Sequence, residues 1–246
     1  MTIDKRNKSA GFHNIVRLEW DSKCFGFEVG KCEVLNQIKN LDSYLLEARD
    51  RNFKLIYFFS KEEQKCMNLC GIRAYQRVLY GRKRVFGNKP DFRHSVVSVE
   101  SCKGNFPDES LYNLARTSGQ YSRFHQDPLF PGEVFLKLYD KWLEHSIFSD
   151  LATDVLVCRN ECDFPIGLLT FKVNGLSSQI GLLSVDEHYR GNGIAMLLNA
   201  TYEGILPDAV GDMYVVTQGD NLPARRFYEH VGYKVSDITY IYHLWI

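Results

Sequence analysis

Residues Arg190-Gly191-Asn192-Gly193-Ile194-Ala195 stand directly before an apolar helical pattern that runs to Ile205. Two glycines at such a junction let main chain come close to a ligand, because no Cβ stands in the way. A helix start also presents unpaired N–H groups and a partial positive charge. Together these features fit an anion held by backbone, a phosphate above all. Arg190 and Asn192 would add side-chain contacts. Glycines chosen only for close packing are the alternative. The Walker pattern GxxxxGK[ST] is absent, and no GxGxxG follows a strand in a βαβ unit. The other chemistry-bearing residues that catch the eye are cysteines. Cys66 and Cys70 stand four apart, as do Cys158 and Cys162. Neither pair is CxxC, and no adjoining His or Cys completes a zinc pattern, so reduced thiols are expected and no metal site.

Periodicity indicates the elements that must position the glycine turn. Residues 154–160, 164–173 and 177–189 read as three strands in succession. The helix of residues 191–205 follows, then a strand over 212–220, a helix over 221–233 closing at Gly232, and two final strands within 234–246. Upstream, Pro107, Asp108 and Glu109 open a helix over 106–124 with Leu111, Leu114 and Ala115 as its apolar stripe. A Pro/Gly-rich loop at 125–132 leads into an amphipathic helix over 133–149. In the first part of the chain, residues 15–35 read as two short strands joined by a turn. Helices over 40–52 and 61–72 and strands over 54–60, 73–86 and 94–100 complete the pattern. Residues 87–94 are polar, contain Pro90 and read as a linker. The fold class expected is α/β with a mixed sheet, divided into residues 1–90 and 91–246.

Thirty basic and thirty acidic residues balance in a chain of 246. That argues against a dedicated nucleic-acid or anionic-membrane binder. The first fourteen residues are polar and lack the apolar stretch of a secretory signal. No window approaches the ~18 apolar residues of a membrane span. A cytoplasmic protein is the expectation.

The hexapeptide at 190–195 matches R-x-x-G-x-[GA] and follows a strand ending Leu182-Leu183-Ser184-Val185. Residues 220–234 match N-x-x-A-x-x-x-Y-x-x-x-G-[FY] through Asn221, Ala224, Tyr228, Gly232 and Tyr233. In this order and spacing the segments resemble the GNAT superfamily of acetyl-CoA-dependent N-acyltransferases. The resemblance implies a GNAT fold in which amides of the glycine turn hold the pyrophosphate of coenzyme A. It implies that the strand carrying Leu183, Ser184 and Val185 splays from its neighbour and receives the pantetheine arm like an added strand. Tyr228 then becomes the group that protonates, or hydrogen-bonds, the leaving thiolate. Ring packing on its helix is the alternative. A backbone N–H near Val185 would stabilise the oxyanion. No base follows from spacing; His125, Asp127, Glu133 and Asp186 are candidates, and a water chain is another.

Residues 18–34, LEWDSKCFGFEVGKCEV, carry a second resemblance, to the dTDP-fucosamine acetyltransferase family. That family acetylates the 4-amino group of a dTDP-4-amino-4,6-dideoxygalactose and places a smaller N-terminal α/β domain before its GNAT domain. The resemblance implies a nucleotide amino sugar as acceptor, surface polysaccharide synthesis as the setting and a homodimer. Tyr121, Arg123 and Phe124 become candidates for the acceptor, since a guanidinium clamps phosphate and a ring stacks on a base. The family has a basic residue just before its tyrosine where this chain has Phe227. Other acceptors stay open: a peptide or protein N-terminus, a polyamine or an aminoglycoside. So does a non-catalytic acyl-CoA-binding role.

Overall fold

The computed structural model describes residues 15–85 and 97–246. The linker expected at 87–94 lies outside them. The chain divides into two compact units, one running up to Arg77 and including Ile238–Ile246, the other Val78–Asp237.

In the first unit β1 (Val16–Arg17) pairs antiparallel with β2 (Val29–Val34), and β2 pairs parallel with β3 (Leu55–Ser60). The last strand, β10 (Lys234–Trp245), pairs antiparallel with β3 from Tyr240↔Ser60 to Trp245↔Leu55. Helices α2 (Asp42–Asp50) and α3 (Lys65–Leu69) cover a core that includes Ala48, Ile56, Phe58, Met67, Tyr242 and Leu244. Two expectations are corrected here. The two short strands expected within residues 15–35 are present as β1 and β2, but a helix, α1 (Glu19–Phe25), joins them where a turn was expected. Acidic Glu19 and Asp21 fill its first turn, and Gly26 ends it at φ 78°, its N–H on Ser22 O. The glycine read as a strand break is a left-handed helix stop. The second correction is that residues 234–245 form one strand rather than two. Ser236 and Asp237 do not impose a turn as glycine or proline would.

The second unit contains β4 (Ala74–Lys83) from Val78 onward, β5 (Ser98–Ser101), α4 (Glu109–Ser118), α5 (Arg123–Gln126) and α6 (Gly132–Phe148). Strands β6 (Asp154–Arg159), β7 (Pro165–Asn174) and β8 (Ser177–Val185) follow. Then come α7 (Ile194–Ile205), β9 (Asp212–Gln218) and α8 (Leu222–His230). The sheet order is β4-β9-β8-β7-β6-β5. Strands β5 to β8 are antiparallel neighbours, and β8 meets β9 in parallel. Alternation splits β6 between two cores. Val155 and Val157 join the one built with α4 and α6, while Leu156 and Cys158 join the one built with α7 and α8.

Asp108 caps α4 through a bond from Leu111 N–H (2.9 Å), as the Pro-Asp-Glu opening requires. The helix does not continue to Phe124. It stops at Gly119, and Ser122 caps the separate α5 with a bond from His125 N–H. A Cβ built on Gly119 would meet the Tyr139 ring at 2.2 Å. Tyr139 is buried and packs on Phe135 and Trp142, so it has little room to retreat. Gly119→Ala is expected to destabilise the protein by about 1–3 kcal/mol, as overpacking does. Urea unfolding tests this; an unchanged midpoint would contradict the close approach.

Candidate active site

The glycine turn begins after a 3₁₀ turn, Glu187–Tyr189, capped by Asp186, whose carboxylate accepts from His188 N–H at 2.9 Å. Gly191 and Gly193 then take φ of 81° and 79°, left-handed values that favour glycine. Leu197 N–H makes the first helical bond, to Gly193 O at 2.9 Å. The N–H groups of Gly193, Ile194, Ala195 and Met196 therefore have no helical acceptor. No side chain caps them either. A Cβ at Gly191 or Gly193 would meet nothing within 4 Å. The protein thus leaves open the space a bound group would use. Gly167 seats the helix: a Cβ there would press on Ile194 and Leu198 at 2.9 Å.

The strand before the turn supplies the second feature. β8 pairs with β9 only from Ser177↔Asp212 to Ile180↔Val215. Its pairing with β7 continues to Gly167↔Val185, with a register shift between Leu169 and Phe171. Gly181 and Leu182 thus face Thr170 as two residues against one, a bulge. Thr170 Oγ1 accepts the displaced Leu182 N–H at 2.9 Å. A bulge bends its strand, and here β8 and β9 stop pairing at that point. Leu182 N–H and Asp186 N–H both bond on the β7 side, to Thr170 and to Ile166 O. Strand alternation then turns the backbone groups of Leu183 and Val185 toward the opened gap. Arg190 Nε donates to Val185 O at 3.1 Å, tying the glycine turn to this strand end.

α8 forms the opposite wall. Asn221 caps it, accepting from Ala224 N–H at 3.2 Å, with Pro223 in the first turn. Tyr228 is the buried residue of this helix. Its ring lies 6.0 Å from Tyr80, 5.4 Å from Phe227 and 5.8 Å from Tyr233, centroid to centroid. Burial holds its phenol well above the ordinary tyrosine range, so it stays protonated.

These elements enclose a cavity of about 460 Å³. Of the residues named from sequence, Tyr121, Leu183, Ser184, Val185, Arg190, Gly191, Gly193, Ile194, Ala195, Asn221, Ala224 and Tyr228 line it. Asn192 does not. Its side chain donates to Tyr189 O at 3.2 Å, and it lines a neighbouring cavity of about 680 Å³ with Asn160, Cys162 and Tyr189. Arg123 and Phe124 do not line the 460 Å³ cavity. Arg123 lies over the Phe124 ring at 4.1 Å, and Phe124 packs on Phe130. None of His125, Asp127, Glu133 and Asp186 lines the cavity. Asp127 is buried and accepts from Leu129 N–H; Asp186 caps the 3₁₀ turn. Among the described residues Arg190 is the one charged side chain in the lining, and no group of three or more His, Cys, Asp or Glu side chains is placed to hold a metal.

Sequence reading missed Thr117, Ser118, Gln120, Tyr189, Met196 and Phe227, which also line the cavity. Thr117 and Ser118 are the last residues of α4, and Gln120 lies in the turn between α4 and α5. Their place at the cavity depends on where the helix stops, which its apolar periodicity does not show.

A bulged strand parting from its parallel neighbour, with a glycine turn at the next helix start, offers free amides to an extended ligand with a diphosphate. The model of the acetyltransferase (GNAT) family matches residues 111–233. The chain belongs to the GNAT acetyltransferase family. The family is one of acetyltransferases, and acetyl-CoA is its acyl donor. Solved structures support the GNAT fold. A functionally unknown conserved protein from Staphylococcus epidermidis is 13% identical at a TM-score of 0.63, covering 96% of this chain and 93% of that one. A tandem GNAT protein from the clavulanic acid biosynthesis pathway is 11% identical at a TM-score of 0.55, covering 88% and 75%. A GCN5-related N-acetyltransferase from Sphaerobacter thermophilus is 12% identical at 0.51, covering 87% and 73%. Among curated proteins, the spore coat polysaccharide biosynthesis protein SpsD of Bacillus subtilis is 26% identical over 142 residues. The match takes in 56% of this GNAT chain and 47% of SpsD, so it spans about half the length of that relative. No helix among the described residues is long and apolar enough to cross a membrane.

Proposed function

We propose that this GNAT enzyme acetylates the amino group of a nucleotide-linked 4-amino-4,6-dideoxy sugar, dTDP-bound, for surface polysaccharide synthesis in the cytoplasm. The observation that carries the acceptor is the likeness to a polysaccharide biosynthesis protein. The N-terminal segment with Trp20, Asp21, Phe25 and Gly26 adds support. The cavity agrees in charge. Its lining offers Arg190 and no carboxylate, so a polyamine or aminoglycoside finds no counter-charge there, whereas an anionic nucleotide sugar meets no repulsion. Residues 91–246 carry the transfer, and residues 1–90 contribute to acceptor binding, with Tyr121 and Arg123 as the acceptor-side candidates. A homodimer belongs to the same proposal.

The reaction we assign is direct. Amides of the turn at 190–195 hold the diphosphate, and Leu183 and Val185 pair with the pantetheine arm. The amine lone pair attacks the thioester carbonyl, forming the C–N bond while the carbonyl oxygen takes up charge near Val185 N–H. The C–S bond then breaks. Tyr228 donates to the departing sulfur, and the nitrogen loses its proton to water. A buried phenol is a weaker acid than a thiol, so its main service is a hydrogen bond to the developing thiolate.

Incubating purified protein with acetyl-CoA and a panel of dTDP- and UDP-amino sugars, polyamines, aminoglycosides and peptides tests the acceptor by mass spectrometry. The expected result is a gain of one acetyl on a dTDP-4-amino sugar. Acetylation confined to a polyamine or peptide would overturn the sugar assignment and leave the transferase standing.

A further inference from the structure

We propose that Tyr80 is a positioning residue that fixes the rotation of α8 and so aims Tyr228 into the cavity. The inference rests on the reading of Tyr228 as the donor to sulfur. Tyr80 lies on β4 and is fully buried. Its hydroxyl donates to Glu229 Oε1 at 2.9 Å and accepts from Arg225 Nε at 3.1 Å. Arg225 and Glu229 are four apart on α8 and share a face. Both are bound by one oxygen atom, which resists rotation of the helix about its axis. Arg225 also donates to Gly219 O at 3.0 Å, holding the chain just ahead of the Asn221 cap. Tyr228 is the neighbour of Glu229, and its ring contacts that of Tyr80 at 6.0 Å.

Arg82, on the same face of β4, holds the other end. It donates to Val231 O at 2.7 Å, lies over the Tyr233 ring at 4.9 Å and forms an ion pair with Glu203 of α7. One strand thus grips α8 before and after Tyr228. A slip of one residue would turn the helix by about 100° and carry the phenol away from the cavity. Burial also keeps the Tyr80 hydroxyl protonated and able to donate.

The test compares Tyr80→Phe, Tyr228→Phe and the double variant in steady-state kinetics. Phenylalanine keeps the packed ring and removes the shared oxygen. Tyr80→Phe is expected to lower kcat about ten-fold with KM for acetyl-CoA within about two-fold, the signature of a misaimed group. The double variant should be no slower than Tyr228→Phe alone, because there is no longer a phenol to aim. Glu229→Ala, at an exposed position, removes one partner without opening the core and should share the kcat loss. Wild-type kcat in both Tyr80→Phe and Glu229→Ala, or losses that multiply in the double variant, would overturn the positioning role. A fully active Tyr228→Phe would instead remove the donor reading on which it rests.

Discussion

Tyr228→Phe is expected to lower kcat about 100-fold, at the low end of what positioned proton donors contribute, with affinity for acetyl-CoA nearly intact. The phenol lines the cavity while its ring is held among Tyr80, Phe227 and Tyr233. Phenylalanine keeps that packing, so the change isolates one hydroxyl. Without it the thiolate departs into an apolar wall, where charge is costly. The pH profile carries a further expectation. Burial raises the phenol above its ordinary value of about 10, so its donor form persists through neutral and mildly alkaline pH. The rate should not fall on the alkaline side below that value on account of this group. Steady-state kinetics across pH checks both statements. A variant as fast as the parent would reduce Tyr228 to a packing residue.

Gly193→Val is expected to weaken acetyl-CoA binding more than about 100-fold, the equivalent of roughly 2.7 kcal/mol. Gly193 sits at φ 79°, and valine is strained there by steric contact between its branched Cβ and the backbone. No protein atom lies within 4 Å of a Cβ at this position, so nothing in the core needs to move. The loss should come from two sources: amides displaced from their aim, and a side chain standing in the ligand's space. Calorimetry measures the affinity, and thermal unfolding separates binding from stability. A melting temperature lowered by only a few degrees with abolished binding fits the account. Unchanged binding would refute the contact.

The parts of this site that were legible in the sequence are local. Two glycines at the junction of an apolar strand and an apolar helix announce a helix start without a side-chain cap, and Asn221 three residues before Ala224 announces the cap of α8. Strands β6 to β9 show as long apolar or alternating runs. What was not legible depends on distance or on register. α1 is seven residues long, and its alternation looks the same as a strand's until Gly26 is known to be left-handed. Phe124 fell inside the helix expected over 106–124 because nothing local revealed that Tyr139 lies against Gly119. The bulge at Gly181–Leu182 exists only relative to β7, so a single strand cannot show it. The bond from Arg225 to Tyr80 joins residues 145 apart, which no periodicity encodes. Asn192 was chosen for its place in the motif, but backbone geometry turned it toward the neighbouring cavity.

A crystal structure of the protein with acetyl-CoA is the most direct measurement of the central claim. The account predicts the diphosphate within hydrogen-bonding distance of amide nitrogens between Gly191 and Met196, with the pantetheine arm paired to Leu183 and Val185. A diphosphate bound elsewhere, with those amides facing solvent, would contradict it.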